Sequence, residues 1–219
     1  MKLKTLLFCS LLAIGFVSCG GDDNDDNENG SGSTSTEVIN GHKFVNLGLP
    51  SGTLWAETNV GAKSKSDIGE YYAWGEIETK DSYKESNYKW SEGYHGSVLL
   101  PEDDVATQKW GAGVHIPTKE QARELVDNCK FVWTSVKGQN GYKVVGKNGN
   151  SIFLPAGGYY SPNTSHTKLV CIYWTSSKIN YYYSWRMFLD NTCAGTDDEL
   201  CVESNNNYNG QLVRPVASI

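Results

Sequence analysis

The sequence predicts an α+β fold with one or two helices and several short, irregular antiparallel strands. One segment, residues 119–128, has the apolar spacing of an amphipathic helix. Other short runs are rich in Val, Ile, Tyr and Phe and lie between Gly and Asn residues that favour turns. The chain contains 23 glycines and 13 tyrosines, a composition that favours many short strands over a few long helices. Strands and helices that do not alternate regularly are typical of the α+β class.

Two β-hairpins are predicted at Asn-Gly turns. The first spans residues 38–47 and turns at Asn40-Gly41. The second spans residues 141–155, in which the runs YKVV and SIFL flank Asn148-Gly149. Five further strands are predicted from shorter β-rich runs: residues 72–74, 173–176, 185–189, 200–203 and 212–216.

The best helix is predicted over residues 119–128. Thr118 and Gln121 form a capping-box pattern at its start, directly after Pro117. Its apolar positions recur at helical spacing, as Ala122, Leu125, Val126 and Cys129. A shorter helical turn is predicted over residues 104–110, ending at Gly111.

The first residues of the chain predict an exported protein with a lipid anchor. A basic start is followed by a broken apolar run over residues 6–17, which is shorter than the roughly 20 residues of a membrane-spanning helix. A small residue and then Cys19 follow, as at the cleavage site of a bacterial lipoprotein signal, so Cys19 is the expected lipidated N-terminus. The alternative is a plain secreted protein.

These features divide the chain into three parts. Residues 1–18 are the expected lipoprotein signal peptide, and residues 19–36 are the lipidated Cys with a flexible acidic, Gly- and Ser-rich tether. Residues 37–219 are the expected folded domain. The formal net charge is −6, and five acidic residues lie in the tether, so the body has no basic stripe that would neutralise nucleic-acid phosphates. We therefore expect no nucleic-acid partner and contact with a membrane only through the lipid anchor.

Four cysteines remain when Cys9 leaves with the signal and Cys19 takes the lipid: Cys129, Cys171, Cys193 and Cys201. Disulfides form in exported proteins, and four cysteines allow three pairings between which the sequence does not choose. The spacing of Cys193 and Cys201 suits a strand–loop–strand connection. Both a structural disulfide and free thiols stay open.

Many ordered blocks of this sequence resemble the Fibrobacter succinogenes major paralogous domain, which is abundant in Bacteroides surface lipoproteins. The blocks include VNLGLPSGTLWAETNVGA at residues 45–62, GEYYAWGE at residues 69–76, YWTSS at residues 173–177 and VRPV at residues 213–216. The similarity covers nearly all of residues 38–217. Around His115 the chain has VHIP where that family usually has Trp-Arg-Met-Pro. The resemblance implies an outer-membrane location, facing the cell exterior, and a C-type lectin-like fold.

At the level of the fold, this family is related to formylglycine-generating enzymes and to the variable proteins of diversity-generating retroelements. Enzymes of the first kind use a reactive cysteine pair, but nothing around Cys193 and Cys201 resembles their active-site sequence. The four histidines are scattered and none lies in a nucleophile motif. We therefore predict no catalytic residue, no cofactor and no enzyme. No metal ligand is assigned, although calcium at Glu102-Asp103-Asp104 or Asp197-Asp198-Glu199 stays open.

A ligand-binding site is predicted near the C-terminal end. Tyrosine mixed with Asn and Ser is the composition of antibody loops, in which rigid rings supply contact area and small polar groups supply hydrogen bonds. Strand alternation over residues 185–190 assigns Trp185, Met187 and Leu189 to the core. The expected binding residues are Asn180, Tyr181, Tyr182, Tyr183, Arg186, Phe188, Asn206 and Tyr208.

These residues predict non-covalent binding of an extracellular glycan or protein. The alternatives are ordinary surface loops, and a structural or fimbria-like surface component whose loops serve assembly. The residues that crowd positions 179–209 are also those that adenine-directed mutagenesis of Asn codons reaches, which raises the hypothesis of a retroelement-diversified protein. Five tryptophans beside the family-like blocks are expected in the core: Trp55, Trp74, Trp110, Trp133 and Trp174.

Overall fold

The sheets and helices lie in residues 36–162, 169–190 and 201–218, the parts of the chain that the computed structural model describes. Predictions made for the signal peptide, Cys19, the tether up to residue 35, Cys193 and residues 197–199 fall outside these ranges. The described residues form two α-helices, α1 (Val105–Trp110) and α2 (Lys119–Asn128). Their eleven strands are β1 (Thr36–Ile39), β2 (His42–Asn46), β3 (Leu54–Ala56), β4 (Val114–His115), β5 (Lys130–Val136), β6 (Gln139–Val145), β7 (Ser151–Pro155), β8 (Cys171–Lys178), β9 (Tyr183–Leu189), β10 (Val202–Asn206) and β11 (Val216–Ala217). The α+β class is therefore observed.

Three small antiparallel sheets make up the fold. The largest has the strand order β1-β2-β3-β11-β4, so strands from both ends of the described chain share one sheet. The other two are three-stranded, with the orders β10-β9-β8 and β5-β6-β7. All described residues belong to one compact unit.

Both predicted hairpins are confirmed. Asn40 and Gly41 have φ of 51° and 83°, the left-handed pair that a two-residue hairpin turn requires. In the second hairpin, β6 pairs with β7 as predicted, but the predicted two-residue turn is wrong: the last pair is Val145 and Ser151, so residues 146–150 form the connection. Strand β5 extends the sheet on the other side of β6.

Both predicted helices are also confirmed. At α2, Thr118 Oγ1 accepts a hydrogen bond from the Gln121 N–H at 3.2 Å, and Gln121 Oε1 accepts one from the Thr118 N–H at 2.9 Å. Ala122 and Leu125 are buried, and Val126 and Cys129 pack against the same core. At α1, the Asp104 carboxylate caps the helix by accepting from the N–H groups of Ala106 and Thr107.

Two predicted strands are wrong. Residues 72–74 make a single bridge, between Tyr72 and Gln211, because the Trp74 N–H instead donates to the Asn207 carbonyl. Residues 212–216 contribute only Val216 to β11, since Pro215 has no N–H to donate to a sheet ladder.

The core contains four of the five tryptophans that were predicted there. Trp55, Trp74 and Trp174 are fully buried, and Trp110 is 8% exposed. Trp133 is a correction, because 41% of it is exposed. It lies on β5, an edge strand of its sheet, and its ring contacts Tyr142 at a centroid distance of 5.0 Å.

A buried arginine joins two parts of the fold. Arg214 has no exposed surface, and its guanidinium donates hydrogen bonds of 2.7–2.9 Å to four oxygens. The acceptors are Asn59 Oδ1 and the backbone carbonyls of Ala56, Glu57 and Phe153. Since Ala56 ends β3 and Phe153 lies in β7, this one side chain ties the largest sheet to the β5–β7 sheet.

Candidate ligand-binding cleft

The tip of the β8–β9 hairpin is shaped by Asn180. Its Oδ1 accepts hydrogen bonds from the N–H groups of Tyr182 at 2.9 Å and Tyr183 at 3.0 Å. The Tyr183 carbonyl in turn accepts from the Ile179 N–H at 2.9 Å. The carbonyl end of the Asn180 side chain is therefore used to fix the turn and to set where the tyrosines lie.

This tip rests on the irregular segment that precedes α1. The Tyr181 hydroxyl donates to the Ser91 carbonyl at 2.8 Å, and the Tyr181 ring lies against Gly93. A Cβ at Gly93 would be 2.3 Å from a Tyr181 ring carbon, and Gly93 also has a φ of +95°. Both the close approach and the backbone conformation therefore require glycine at position 93.

The irregular segment is held by charged and aromatic side chains. Residues 57–104, all of them described, contain only isolated bridges, turns and two 3₁₀ turns, Glu85–Asn87 and Pro101–Asp103. Glu76, which is buried, forms an ion pair with Lys80 and accepts a hydrogen bond from the Lys89 N–H at 2.6 Å. The Lys89 ammonium pairs with Asp103 at 2.8 Å.

Two rings of the segment are fixed by hydrogen bonds to the backbone near Glu76. The Tyr88 hydroxyl donates to the Trp74 carbonyl at 2.7 Å, and Trp90 Nε1 donates to the Gly75 carbonyl at 2.8 Å. Burial raises the pKa of the Tyr88 hydroxyl well above its ordinary value, with a smaller contribution from the Glu76 charge. Tyr88 is therefore neutral at physiological pH and stays a hydrogen-bond donor.

Between the hairpin tip and this segment lies a narrow cleft with mostly aromatic walls, which we call the aromatic cleft. About 20 Å³ is open to the centre of a water molecule. Tyr182 is 57% exposed and Tyr181 is 42% exposed, and their ring centroids are 4.8 Å apart. The residues that line the aromatic cleft are Glu85, Tyr88, Trp90, Ser91, Tyr181, Tyr182, Asn207 and Tyr208.

Asn207 is the polar side chain at this cleft that sequence reasoning missed. It is 2% exposed, and its backbone N–H donates to the Tyr182 carbonyl at 2.9 Å. Its Nδ2 faces the Tyr181 carbonyl at 3.3 Å, and because that carbonyl only accepts hydrogen bonds, the amide orientation is set. Its Oδ1 is buried and has no hydrogen-bond partner among the described residues.

The Asn-rich run at residues 205–207 carries no signal that selects position 207. Strand β10 ends at Asn206 and a turn follows, so the alternation that predicts side-chain direction stops one residue too early. The predicted residue, Asn206, lies in the ladder opposite Tyr183 and does not line the aromatic cleft.

Of the predicted binding residues, Tyr181, Tyr182 and Tyr208 meet at the aromatic cleft, and Asn180 supports it. Tyr183 is 39% exposed at the start of β9 but does not line the cleft. Arg186 and Phe188 lie elsewhere on β9.

Arg186 is a buried member of a separate cluster. It is 8% exposed and pairs with Glu203. Its Cζ lies 5.0 Å from the centroid of the Phe188 ring and 5.4 Å from the centroid of the Tyr159 ring. Burial lowers the pKa of Arg186, while the hydrogen bond with Glu203 opposes that shift.

A second, wider cavity of about 770 Å³ lies beside α2. Its lining is largely charged and includes Lys119, Arg123 and Glu124, together with Trp185. Trp185 was predicted in the core with Met187 and Leu189; those two are fully buried, but Trp185 is only partly buried. Trp185 packs against the edge of the core, and Lys119 lies over its ring with Nζ 3.7 Å from the centroid.

The thiols that the structure describes in detail are not activated. Burial raises the pKa of Cys129 to about 11 and that of Cys171 to about 12, and neither forms a disulfide. Reactive cysteines have lowered pKa values. Among the described residues, no three His, Cys, Asp or Glu side chains are grouped as a metal site would require.

Comparisons of the chain with protein-family models, with curated proteins and with solved structures find no match. No helix within residues 36–162, 169–190 and 201–218 is long and apolar enough to cross a membrane.

Proposed function

We propose that this chain is a lipid-anchored outer-surface protein whose C-type lectin-like domain binds an extracellular glycan or protein non-covalently. The aromatic cleft is the binding site. The observation that carries the proposal is that two exposed tyrosines, Tyr181 and Tyr182, are presented at a cleft with mostly aromatic walls. Small antiparallel sheets with two helices agree with the fold class that the family resemblance implies.

The fixed positions of these rings favour binding. Tyr181 is held by Ser91 and Gly93, and the tip that carries Tyr182 is fixed by Asn180. A site whose side chains are already ordered loses less conformational entropy when a ligand binds. Tyrosine rings also offer one apolar face and one polar end, which suits both sugar rings and protein surfaces.

A panel of glycans, polysaccharides and surface proteins tests this proposal with the full-length chain. Binding by the wild type that Tyr182→Ala weakens at least tenfold with an unchanged melting temperature, and that Tyr208→Ala also weakens, would support the aromatic cleft as the site. Binding that neither substitution alters would place the ligand elsewhere. An absence of binding to every member of the panel would contradict the proposal.

A structural, fimbria-like role is the second candidate, and one observation favours it. Strand β5 is a sheet edge on which Val132 is 39% exposed and Trp133 is 41% exposed. Exposed sheet edges pair readily with other strands, including those of a second copy. Sedimentation of the wild type and of Trp133→Lys tests this role: higher oligomers that the substitution dissolves would support assembly through β5, whereas a monomeric wild type would count against it.

A further inference from the structure

We propose that the aromatic cleft takes a primary ammonium group of the ligand, held by the faces of its rings and by the negative charge of Glu85. This inference deepens the proposed function and rests on it. The group belongs either to a lysine side chain of a protein or to an amino sugar of a glycan, which share this chemistry.

The rings of the cleft provide an environment that attracts cations. The face of an aromatic ring carries partial negative charge and binds ammonium groups. Two lysines of the chain already lie over rings of the cleft: Lys89 Nζ is 4.3 Å from the centroid of the Trp90 ring, and Lys80 Nζ is 5.9 Å from that of Tyr88.

These two lysines do not give the cleft a net positive charge, because each is paired with a carboxylate. Lys80 pairs with Glu76, and Lys89 pairs with Asp103. The remaining charge of the lining is negative, since Glu85 is the charged residue among those that line the cleft. Glu92 adds to this negative field. The pKa of Tyr181 is raised first by burial, then by the neighbouring Tyr182, and then by the charges of Glu92 and Glu85.

The size of the cleft selects among cations. About 20 Å³ of the cleft is open to the centre of a water-sized group, which is room for one such group. A primary ammonium is about as large as a water molecule, whereas a guanidinium or a trimethylammonium group is several times larger. A neutral hydroxyl has the right size but gains nothing from the negative charge of the lining.

Two matched pairs of small probes test the inference with the full-length chain. The first pair is Nα-acetyl-lysine methylamide and its Nε-acetylated form; the second is glucosamine and N-acetylglucosamine. Each pair differs in the ammonium charge, and the shift of the Trp90 indole N–H resonance, assigned with Trp90→Phe, reports binding at the cleft. We expect at least one charged probe to shift this resonance and its acetylated partner to bind at least tenfold more weakly.

Glu85→Gln provides the charge test, because Glu85 is exposed and the substitution removes its charge with little change in size. We expect it to weaken binding of the charged probe about threefold, while the control Glu37→Gln, at an exposed position on β1, leaves the affinity unchanged. Equal binding by charged and acetylated probes would overturn the inference.

The probes also separate this inference from the proposed function. Binding of lysine alone identifies a protein ligand, and binding of glucosamine alone identifies a glycan; both support the inference. If no probe binds, but a panel ligand binds and depends on Tyr182, the ammonium inference is wrong and the proposed function stands. If neither the probes nor the panel bind, both are wrong.

Discussion

At the level of single residues, two buried charged side chains stand out in this fold. Arg214 and Asp104 lie fully or almost fully inside the fold, and each is compensated mainly by backbone groups and not by an opposite charge. Neither role is visible in the sequence, where VRPV and the acidic residues 102–104 are short patterns without spatial partners. Burial of such groups without their hydrogen bonds is costly, so both side chains serve as strict tests of the structure.

Arg214→Lys is expected to destabilise the fold by about 3 kcal/mol, because a lysine ammonium cannot reach four acceptors on two sides and leaves some buried and unpaired. Urea unfolding measures the loss. Lys137→Arg, in the exposed turn between β5 and β6, is the control and is expected to change stability by less than about 0.5 kcal/mol. A loss for Arg214→Lys as small as that of the control would contradict the assigned hydrogen bonds.

Asp104→Asn is expected to lower stability at neutral pH by about 1–3 kcal/mol. The amide keeps one oxygen for the N–H groups of Ala106 and Thr107, but its Nδ2 replaces the oxygen that accepts from the Ile116 N–H at 2.8 Å. Urea unfolding measures this change too.

The raised pKa of Asp104 predicts how the stabilities of the wild type and Asp104→Asn differ with pH. Burial raises the pKa of Asp104 above its ordinary value of 3.8. The folded state therefore binds the proton more tightly than the unfolded state, and the stability that this contributes is present below pH 3.8 and lost as pH rises through the folded pKa. We therefore expect the difference in unfolding free energy between the wild type and Asp104→Asn to narrow as pH rises from below 3.8 through the folded pKa. A difference that widens as pH rises would show that the pKa is lowered.

At the scale of elements, predictions succeed where a structure depends on neighbouring residues and fail where it depends on distant ones. The Asn40-Gly41 hairpin and α2 follow from turn and capping residues within the element itself. The segment at residues 72–74 reads as a strand, yet its backbone partners are residues 207 and 211, far along the chain. The cleft was predicted in part, because tyrosine-rich loops stand out, but the wall formed by Tyr88 and Trp90 comes from a segment with no binding signature.

Gly93→Ala tests how the hairpin tip sits on that wall. The added Cβ would overlap the Tyr181 ring, so the tip must move away. We expect binding at the aromatic cleft to weaken at least tenfold and stability to fall by about 2 kcal/mol. Gly138→Ala is the matched control: it also has a positive φ, +82°, but nothing lies within 4 Å of its added Cβ, so it should lose about 1 kcal/mol of stability and no binding. Equal binding by the two variants would contradict the docking of Tyr181 on Gly93.

In the molecule as a whole, three small sheets support a long irregular segment that supplies half of the residues lining the aromatic cleft. Glu76 and its lysine partners help to order that segment, which pairs with the sheets only through isolated bridges. The lipid anchor and the surface location that the N-terminal residues predict would place this site outside the cell.

Glu76→Gln is expected to loosen the irregular segment while the sheets remain folded. The amide cannot form the ion pair with Lys80. Its NH₂ group donates hydrogen bonds and therefore cannot accept from the N–H groups of Lys80 and Lys89 as a carboxylate oxygen does. Amide hydrogen exchange should become faster over residues 77–95 and stay unchanged in β8 and β9. Uniform acceleration over the whole chain would show that Glu76 stabilises the fold and not this segment.

The affinities of Tyr182→Ala and Tyr183→Ala for the same ligand test whether the aromatic cleft is the binding site. The two tyrosines are neighbours at one hairpin tip and both are exposed, but only Tyr182 lines the aromatic cleft. The structure predicts that Tyr182→Ala raises the dissociation constant at least tenfold and that Tyr183→Ala changes it less than twofold. Equal losses, or a larger loss for Tyr183→Ala, would contradict the aromatic cleft as the binding site.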